Sequence, residues 1–416
     1  MKQVYSNLYQ YLENFIFQEK QTHLNTTEFK NKTKIDSIPI NGQNLPRFIN
    51  EFWTSKQRQA SSLHEIAYRA CFKPQLPRFF INLFSKENDL VYDPFAGRGT
   101  TAIEAGLMER NTVFNDINPL SEILTYPRFF IPSIENLKKR LKEIPIKKSM
   151  AEIDLSMFFH PKTEREIMSL KQYFTDKSGN EDKLDGWIKM VATNRLTGHS
   201  SGFFSVYTLP PNQAVSAESQ IKINKKRNQK PEYRNTFDII IKKTLNLLRN
   251  ITEEQKDRLE KIGEKAVSLS KDARFTKEIK QNSVQLTITS PPFLDVVQYS
   301  KDNWLRCWFN GINDKDVNKK ITVSKTIEEW SSVMLDVFKQ LFRITKPNGW
   351  VAFEVGEIKN GSLNLDEVVV PLGLNAGFNC EGILINSQEF TKTSNIWGVK
   401  NNKFGTNTNR IVLFRK

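Results

Sequence analysis

The chain is 416 residues long, with 38% hydrophobic residues, three cysteines and a net charge of +15 at neutral pH. Such a length can bury a large core and suggests two to three domains. Cys71, Cys307 and Cys380 lie far apart with no Cys-x-x-Cys spacing, which argues against a disulfide framework and against a metal site. No run approaches the ~20 apolar residues of a membrane span, and the first residues lack a signal peptide's apolar core, so a cytoplasmic protein is expected. The basic balance favours a polyanionic partner.

Tyr5, Leu8, Tyr9, Leu12 and Ile16 recur at helical spacing and predict an amphipathic first helix that packs. Residues 21–45 are polar and predict a loop-rich connection, so residues 1–60 read as a helical extension. His64 reads as a structural histidine. Residues 89–92 predict a short buried strand that runs through Asp93-Pro94-Phe95-Ala96-Gly97-Arg98-Gly99-Thr100 into a helix over 100–108. Gly97 and Gly99 fall where the strand must reverse, and the helix start aims amide groups at whatever lies in the turn.

Two cofactor readings compete at this turn. Gly97-x-Gly99-x-x-Ala102 fits the loose dinucleotide fingerprint, with Asp116, after a second strand over 112–115, placed to hold ribose hydroxyls. Asp93 at the mouth of the turn would repel phosphates but would suit the cationic amino-acid end of S-adenosylmethionine. A glycine turn with no ligand is the bland alternative.

Beyond Asp116 the strand-helix alternation breaks off. Helical stretches are expected over 134–146, from 155 onward and over 184–196, followed by a polar, aromatic segment from Gly198 to Tyr207. Between 221 and 250 stand Lys222, Lys225, Lys226, Arg227, Lys230, Arg234, Lys242, Lys243 and Arg249 against only Glu232 and Asp238. Residues 128–262 therefore read as an insertion contacting DNA, with cations on phosphates and polar groups of 198–212 on base edges. A solvated charge run is the competing reading.

The sheet resumes at 266–270, and a further strand over 284–288 ends in Thr289-Ser290-Pro291-Pro292-Phe293. Two prolines stop a strand abruptly and withhold two donors, leaving carbonyl acceptors beside a hydroxyl and a ring. That grouping suits an exocyclic amine on a flat base. Trp304 and Trp308, one helical turn apart, should pack. A helix over 326–344, a strand over 350–355, and two strands at 382–385 and 410–414 complete the pattern, with a basic loop over 391–408.

Asp93 to Thr100 followed by Ser290 to Phe293 resembles the amino-directed DNA methyltransferases, in particular the N4-cytosine type, in which Ser precedes the prolines. Phe293 in place of the commoner Tyr keeps the ring and loses a hydroxyl. The resemblance implies a seven-stranded, mainly parallel, Rossmann-like α/β sheet binding S-adenosylmethionine through Asp93, Pro94, Phe95, Gly97, Gly99, Thr100 and Asp116. It also implies Asp272 and Ala273 at the cofactor's adenine, a segment near 73–80 closing over its methionine part, and Ser290, Pro291, Pro292 and Phe293 at the target base. The expected layout is an extension over 1–60, a catalytic domain over 61–127 and 263–416, and a mostly helical recognition domain over 128–262. Double-stranded DNA is the implied substrate, reached by base flipping, and a cognate restriction endonuclease the implied companion. No cysteine follows a proline, so carbon-5 cytosine methylation has no nucleophile here. N6-adenine methylation of DNA, and RNA or protein-glutamine methylation, are the rivals within the class. A nicotinamide-dependent oxidoreductase and a non-catalytic DNA-binding subunit are the rivals outside it.

Overall fold

The computed structural model describes residues 7–16, 32–54, 60–69, 71–210, 214–292, 299–320, 324, 326–358, 363–387 and 408–416. Strands β1 (Lys34–Ile40) and β2 (Gln43–Asn50) precede β3 (Leu90–Asp93), β4 (Asn111–Asn115), β5 (Val267–Leu269), β6 (Val284–Thr289) and β7 (Thr345–Val355). A separate ribbon of β8 (Glu357–Ile358) and β9 (Leu363–Asn364) comes before β10 (Asn379–Ser387) and β11 (Thr408–Arg415). The main sheet runs β1-β2-β10-β11-β7-β6-β3-β4-β5. From β5 to β7 all neighbours are parallel, while β11 is antiparallel to both β7 and β10.

Seven of these strands are the expected sheet, but the observed sheet has nine because the β1–β2 hairpin docks on β10 through parallel pairing of β2. The expected loop over 21–45 is thus overturned from Lys34 onward, and so is the helical character of residues 1–60, where Leu8–Glu13 is the one helix among the described residues. The reason is local. Asn41 and Gly42 both take left-handed backbone (φ 49° and 75°), a two-residue turn whose twist matches that of the flanking strands. Strand β1 is polar because it is the sheet's edge and stays half exposed.

The strands feed two cores by alternation. Val351 and Phe353 of β7 point to the face covered by the helix Ile327–Ile344, among Trp330, Phe338 and Phe414, while Ala352 points to the other, among Phe80, Leu286 and Leu413. The first helix packs on this second face through Leu12, beside Phe48 and Phe52.

Between β4 and β5 lie the helices Ile134–Glu143, Pro161–Asp176, Lys183–Arg195, Ala217–Arg227, Thr236–Leu248 and Glu253–Gly263, in the place expected for the insertion. Their core, with Phe158, Leu170 and Trp187, is continuous with Ile103, Leu107 and Phe129. Every residue of the helix Thr100–Leu107 is buried, so the helical layer completes that helix's surroundings and no packing boundary falls at residue 128. No helix among the described residues is long and apolar enough to cross a membrane.

Candidate active site

The turn after β3 is built largely from its own hydrogen bonds. Gly97 donates its amide to Asp116 Oδ2 at 2.9 Å, and the other oxygen of that carboxylate accepts from the Asn118 amide at 2.9 Å. Gly99 has φ 71°, and a Cβ there would stand 2.2 Å from the Thr125 side chain, so only glycine fits. Its closeness serves packing against the helix Leu120–Thr125, where the sequence suggested approach to a ligand. Asn115, which sequence reasoning passed over, joins three loops: its amide nitrogen donates to the carbonyls of Pro94 (3.1 Å) and Lys271 (2.9 Å), and its oxygen accepts from the Lys271 amide (3.0 Å). The C-terminal ends of β3, β4 and β5 are thereby held together, where ligands of open α/β sheets bind.

Asp93 is not at the mouth of this turn. It is 1% exposed and accepts from the Thr289 hydroxyl at 2.7 Å and the Phe95 amide at 3.1 Å. Burial pushes its carboxyl up to about 6 against those bonds. Because β3 and β6 are parallel neighbours, Asp93 ties the glycine turn to the residue just before Ser290.

Ser290 in turn bonds the carboxyl of Glu354, near the end of β7. Glu354 is buried and also accepts from the Asn409 side chain on β11. Its burial, helped by repulsion from Asp93, raises it to about 7. No motif marks Glu354 or Asn409. The alternation of β7 was the available signal, since a carboxylate at an inward position of a buried strand needs a reason. The Trp330 indole donates to the Pro292 carbonyl at 3.0 Å and fixes the end of the proline turn. Phe293 lies outside the described residues.

These loops surround one cavity. Pro94, Phe95, Gly97, Asp116, Asp272 and Ala273 line it on one side, and Ser290 and Pro292 on another. Asp93, Gly99, Thr100 and Pro291 are buried behind that wall. Trp330, Met334 and Val337 make its apolar side. Asp272 caps the short turn Ala273–Phe275 and pairs with Arg274 at 2.6 Å. Burial opposes its charge, but the bonds from Arg274 prevail and hold its carboxyl below the usual range. The segment expected to close over the cofactor forms the helix Gln75–Phe84, and the aromatic ring that reaches the cavity is Tyr68, upstream of it. His64 is buried in a pair with Glu104 at 2.6 Å, to which Arg78 adds a second cation at 2.8 Å. No cluster of His, Cys, Asp and Glu suited to a metal occurs among the described residues, and the three cysteines are free.

The charged run divides. Lys222, Lys225, Lys226, Lys230 and Lys242 are exposed. Lys243 is buried and donates to the Glu65 carbonyl at 2.6 Å, and Arg249 pairs with the Glu65 carboxylate. Arg234 spends its guanidinium on the carbonyls of Ser200, Phe203 and Ser205. The expectation that all these cations face phosphates therefore fails for three of them, whose side chains the fold already uses.

The N6/N4 DNA methylase family model matches residues 3–131, which include the glycine turn. The chain is 27% identical over 314 residues to the type II methyltransferase M.BsoBI of Geobacillus stearothermophilus, covering 68% of this chain and 60% of that protein. It is 30% identical over 91 residues to the type II methyltransferase M.MjaII of Methanocaldococcus jannaschii, covering 22% of this chain and 17% of the relative. The chain thus spans less than two thirds of the length of the curated relatives it matches. Among solved structures, a DNA modification methylase from Thermus thermophilus, complexed with S-adenosyl-L-methionine, is 18% identical over 35% of this chain and 53% of its own, with a TM-score of 0.21. The cofactor implied by the motifs is the one that this structure holds.

Proposed function

We propose that the chain is a site-specific DNA methyltransferase that moves the methyl group of S-adenosylmethionine to the exocyclic N4 amine of cytosine, as the modification partner of a restriction endonuclease. The observation that carries this reading is the wiring of Ser290: it lines the same cavity as Gly97, Asp116 and Asp272 while its hydroxyl rests on a buried carboxyl, Glu354. The residues suit the cofactor. Asp116 and Asp272 offer carboxylate acceptors for ribose hydroxyls and an adenine amine, and Phe95, Met334 and Val337 offer an apolar wall for a flat ring.

The bound cofactor supplies an electrophilic methyl group. The amine of cytosine is conjugated with its ring and is a poor nucleophile, so the protein's task is to localise the lone pair and aim it. Ser290 and a carbonyl of the proline turn accept the amine's two protons. Glu354, poised near neutrality, accepts through Ser290 the proton that the amine sheds on methylation. In a duplex the target base must first be flipped out of the stack. A methyl-incorporation assay on duplex DNA, followed by mass spectrometry of its nucleosides, tests the reading. N4-methylcytosine is expected; N6-methyladenine would keep the mechanism and change the base, and incorporation into neither would overturn it.

A further inference from the structure

A buried guanidinium has five donors to satisfy, so the arginines of the helical layer can be sorted by where those donors go. Arg128 is 0% exposed and spends them on the carbonyls of Leu124, Leu63 and Arg98, which is how an arginine serves a fold. Arg195, 8% exposed, is different. Its one hydrogen bond goes to the neighbouring Asn194 side chain at 2.5 Å, and its buried Nε has no partner. Arg306, 4% exposed, bonds Asn303, one turn back on its own helix, at 2.8 Å. Neither pairs with a carboxylate among the described residues. The nearby acids are engaged: Asp302 pairs with Arg69 at 2.8 Å, and Glu65 with Arg249.

The two arginines sit on helices that touch, Lys183–Arg195 and Tyr299–Phe309, joined by Asn310 donating to Thr193 at 2.9 Å. They repel each other, and burial lowers the proton affinity of both. Between them and the cavity runs a strap of residues 65–69. Its carbonyls at Glu65, Ile66 and Ala67 accept from Lys243 (2.6 Å), Arg98 (2.8 Å) and Asn194 (3.0 Å), and Tyr68 passes from beneath the Arg306 guanidinium, 6.0 Å from its ring, to the cavity wall. On the outer side Phe203 lies 3.9 Å from Arg195, a contact possible because a Cβ at Gly198 would stand 2.5 Å from that ring. The same loop continues to Tyr207 beneath Arg227, at the exposed basic helix Ala217–Arg227.

We propose that Arg195 and Arg306 bind a phosphodiester of the DNA backbone beside the cavity, on the path from the exposed basic helix to Tyr68. Two unspent guanidinium forks match the two non-bridging oxygens of such a group, and an anion there offsets the cost of two buried like charges. The inference rests on duplex DNA being the substrate.

The test uses the full chain with Arg195→Gln and Arg306→Gln, a mixed-sequence duplex, inorganic phosphate and S-adenosylmethionine. Each variant should bind the duplex about tenfold more weakly, with the slope of log affinity against log salt reduced by about one. Affinity for S-adenosylmethionine should be unchanged. Unaltered duplex affinity and slope would overturn the proposal. So would inorganic phosphate raising the melting temperature of the wild type but not of the variants while duplex binding stayed intact, since the site would then take free phosphate. A wild-type chain that binds no duplex would instead refute the reading beneath it. If a Gln variant melts early, Lys at that position keeps the charge without the fork, and must restore the salt slope while binding the duplex more weakly than wild type.

Discussion

The turns after β3 and after β6 meet at one cavity, yet they are made on opposite principles. In the glycine turn nearly every polar group is answered within the turn: Gly97 by Asp116, Asp116 by Asn118, and Pro94 by Asn115. In the proline turn the partners come from other strands, and they are uncomfortable ones, two buried carboxyls at Asp93 and Glu354 raised to about 6 and about 7. A turn whose groups are satisfied holds a shape, whereas a turn wired to perturbed acids can move protons.

The largest effect should come from breaking the second turn. Ser290→Ala and Glu354→Gln should each lower methyl transfer by roughly 10²-fold or more, while calorimetry finds S-adenosylmethionine binding within a factor of about three of wild type. Loss of cofactor affinity in step with activity would move both residues out of the proposed role. The first turn should break differently. Gly99→Ala strains a left-handed residue and drives a methyl into Thr125, so denaturant melts should show a loss of about 2–4 kcal/mol, part of it recovered by adding Thr125→Ala. Gly97→Ala, whose Cβ would meet only the Tyr68 ring at 3.4 Å, should cost about 1 kcal/mol and act mainly on cofactor affinity.

Glu354 sharpens the contrast further. Its folded-state carboxyl is raised above its ordinary value of 4.5 to about 7, so the folded chain holds the proton more tightly than the unfolded one. The resulting stabilisation is full below about 4.5 and is lost as pH rises through about 7. Activity should run the other way, rising with pH through about 7 as Glu354 becomes able to accept a proton. Glu354→Gln should therefore be the more stable protein on the alkaline side, by about 2 kcal/mol. Melts on either side of neutrality check this, and a variant less stable than wild type throughout would contradict the assigned burial cost.

What could be read in advance followed short-range physics. The strand ends at Asp93, Asn115 and Thr289 and the helix capped by Thr326 were visible from periodicity and turn residues, and seven of the nine strands with them. The β1–β2 hairpin was legible too, since Asn41-Gly42 is a strong two-residue turn signal, but the polar edge strand beside it looked like a loop. Glu354, Asn409 and Asn115 could not be found that way. Their roles come from strand order, which puts β7 next to β6 and β4 next to β3, and no local pattern encodes that adjacency. Asp93 was found but misplaced: the motif marked the residue, while only the β3–β6 pairing shows that it faces Thr289.

The smallest effects belong to the basic stretch, where the same distinction between spent and unspent groups applies to lysines. Lys222 and Lys225 are exposed on the helix Ala217–Arg227, while Lys243 is buried, its ammonium on the Glu65 carbonyl and its pKa pushed down to about 7 by burial. The double variant Lys222→Ala/Lys225→Ala should leave the melting temperature alone and flatten the salt dependence of duplex binding by roughly one to two units of slope. Lys243→Ala should do the reverse, loosening the strap that carries Tyr68 and lowering stability by about 1–2 kcal/mol while the slope stays at its wild-type value. If Lys243→Ala changed the slope and the exposed pair did not, burial would be the wrong guide to which cations meet the phosphates.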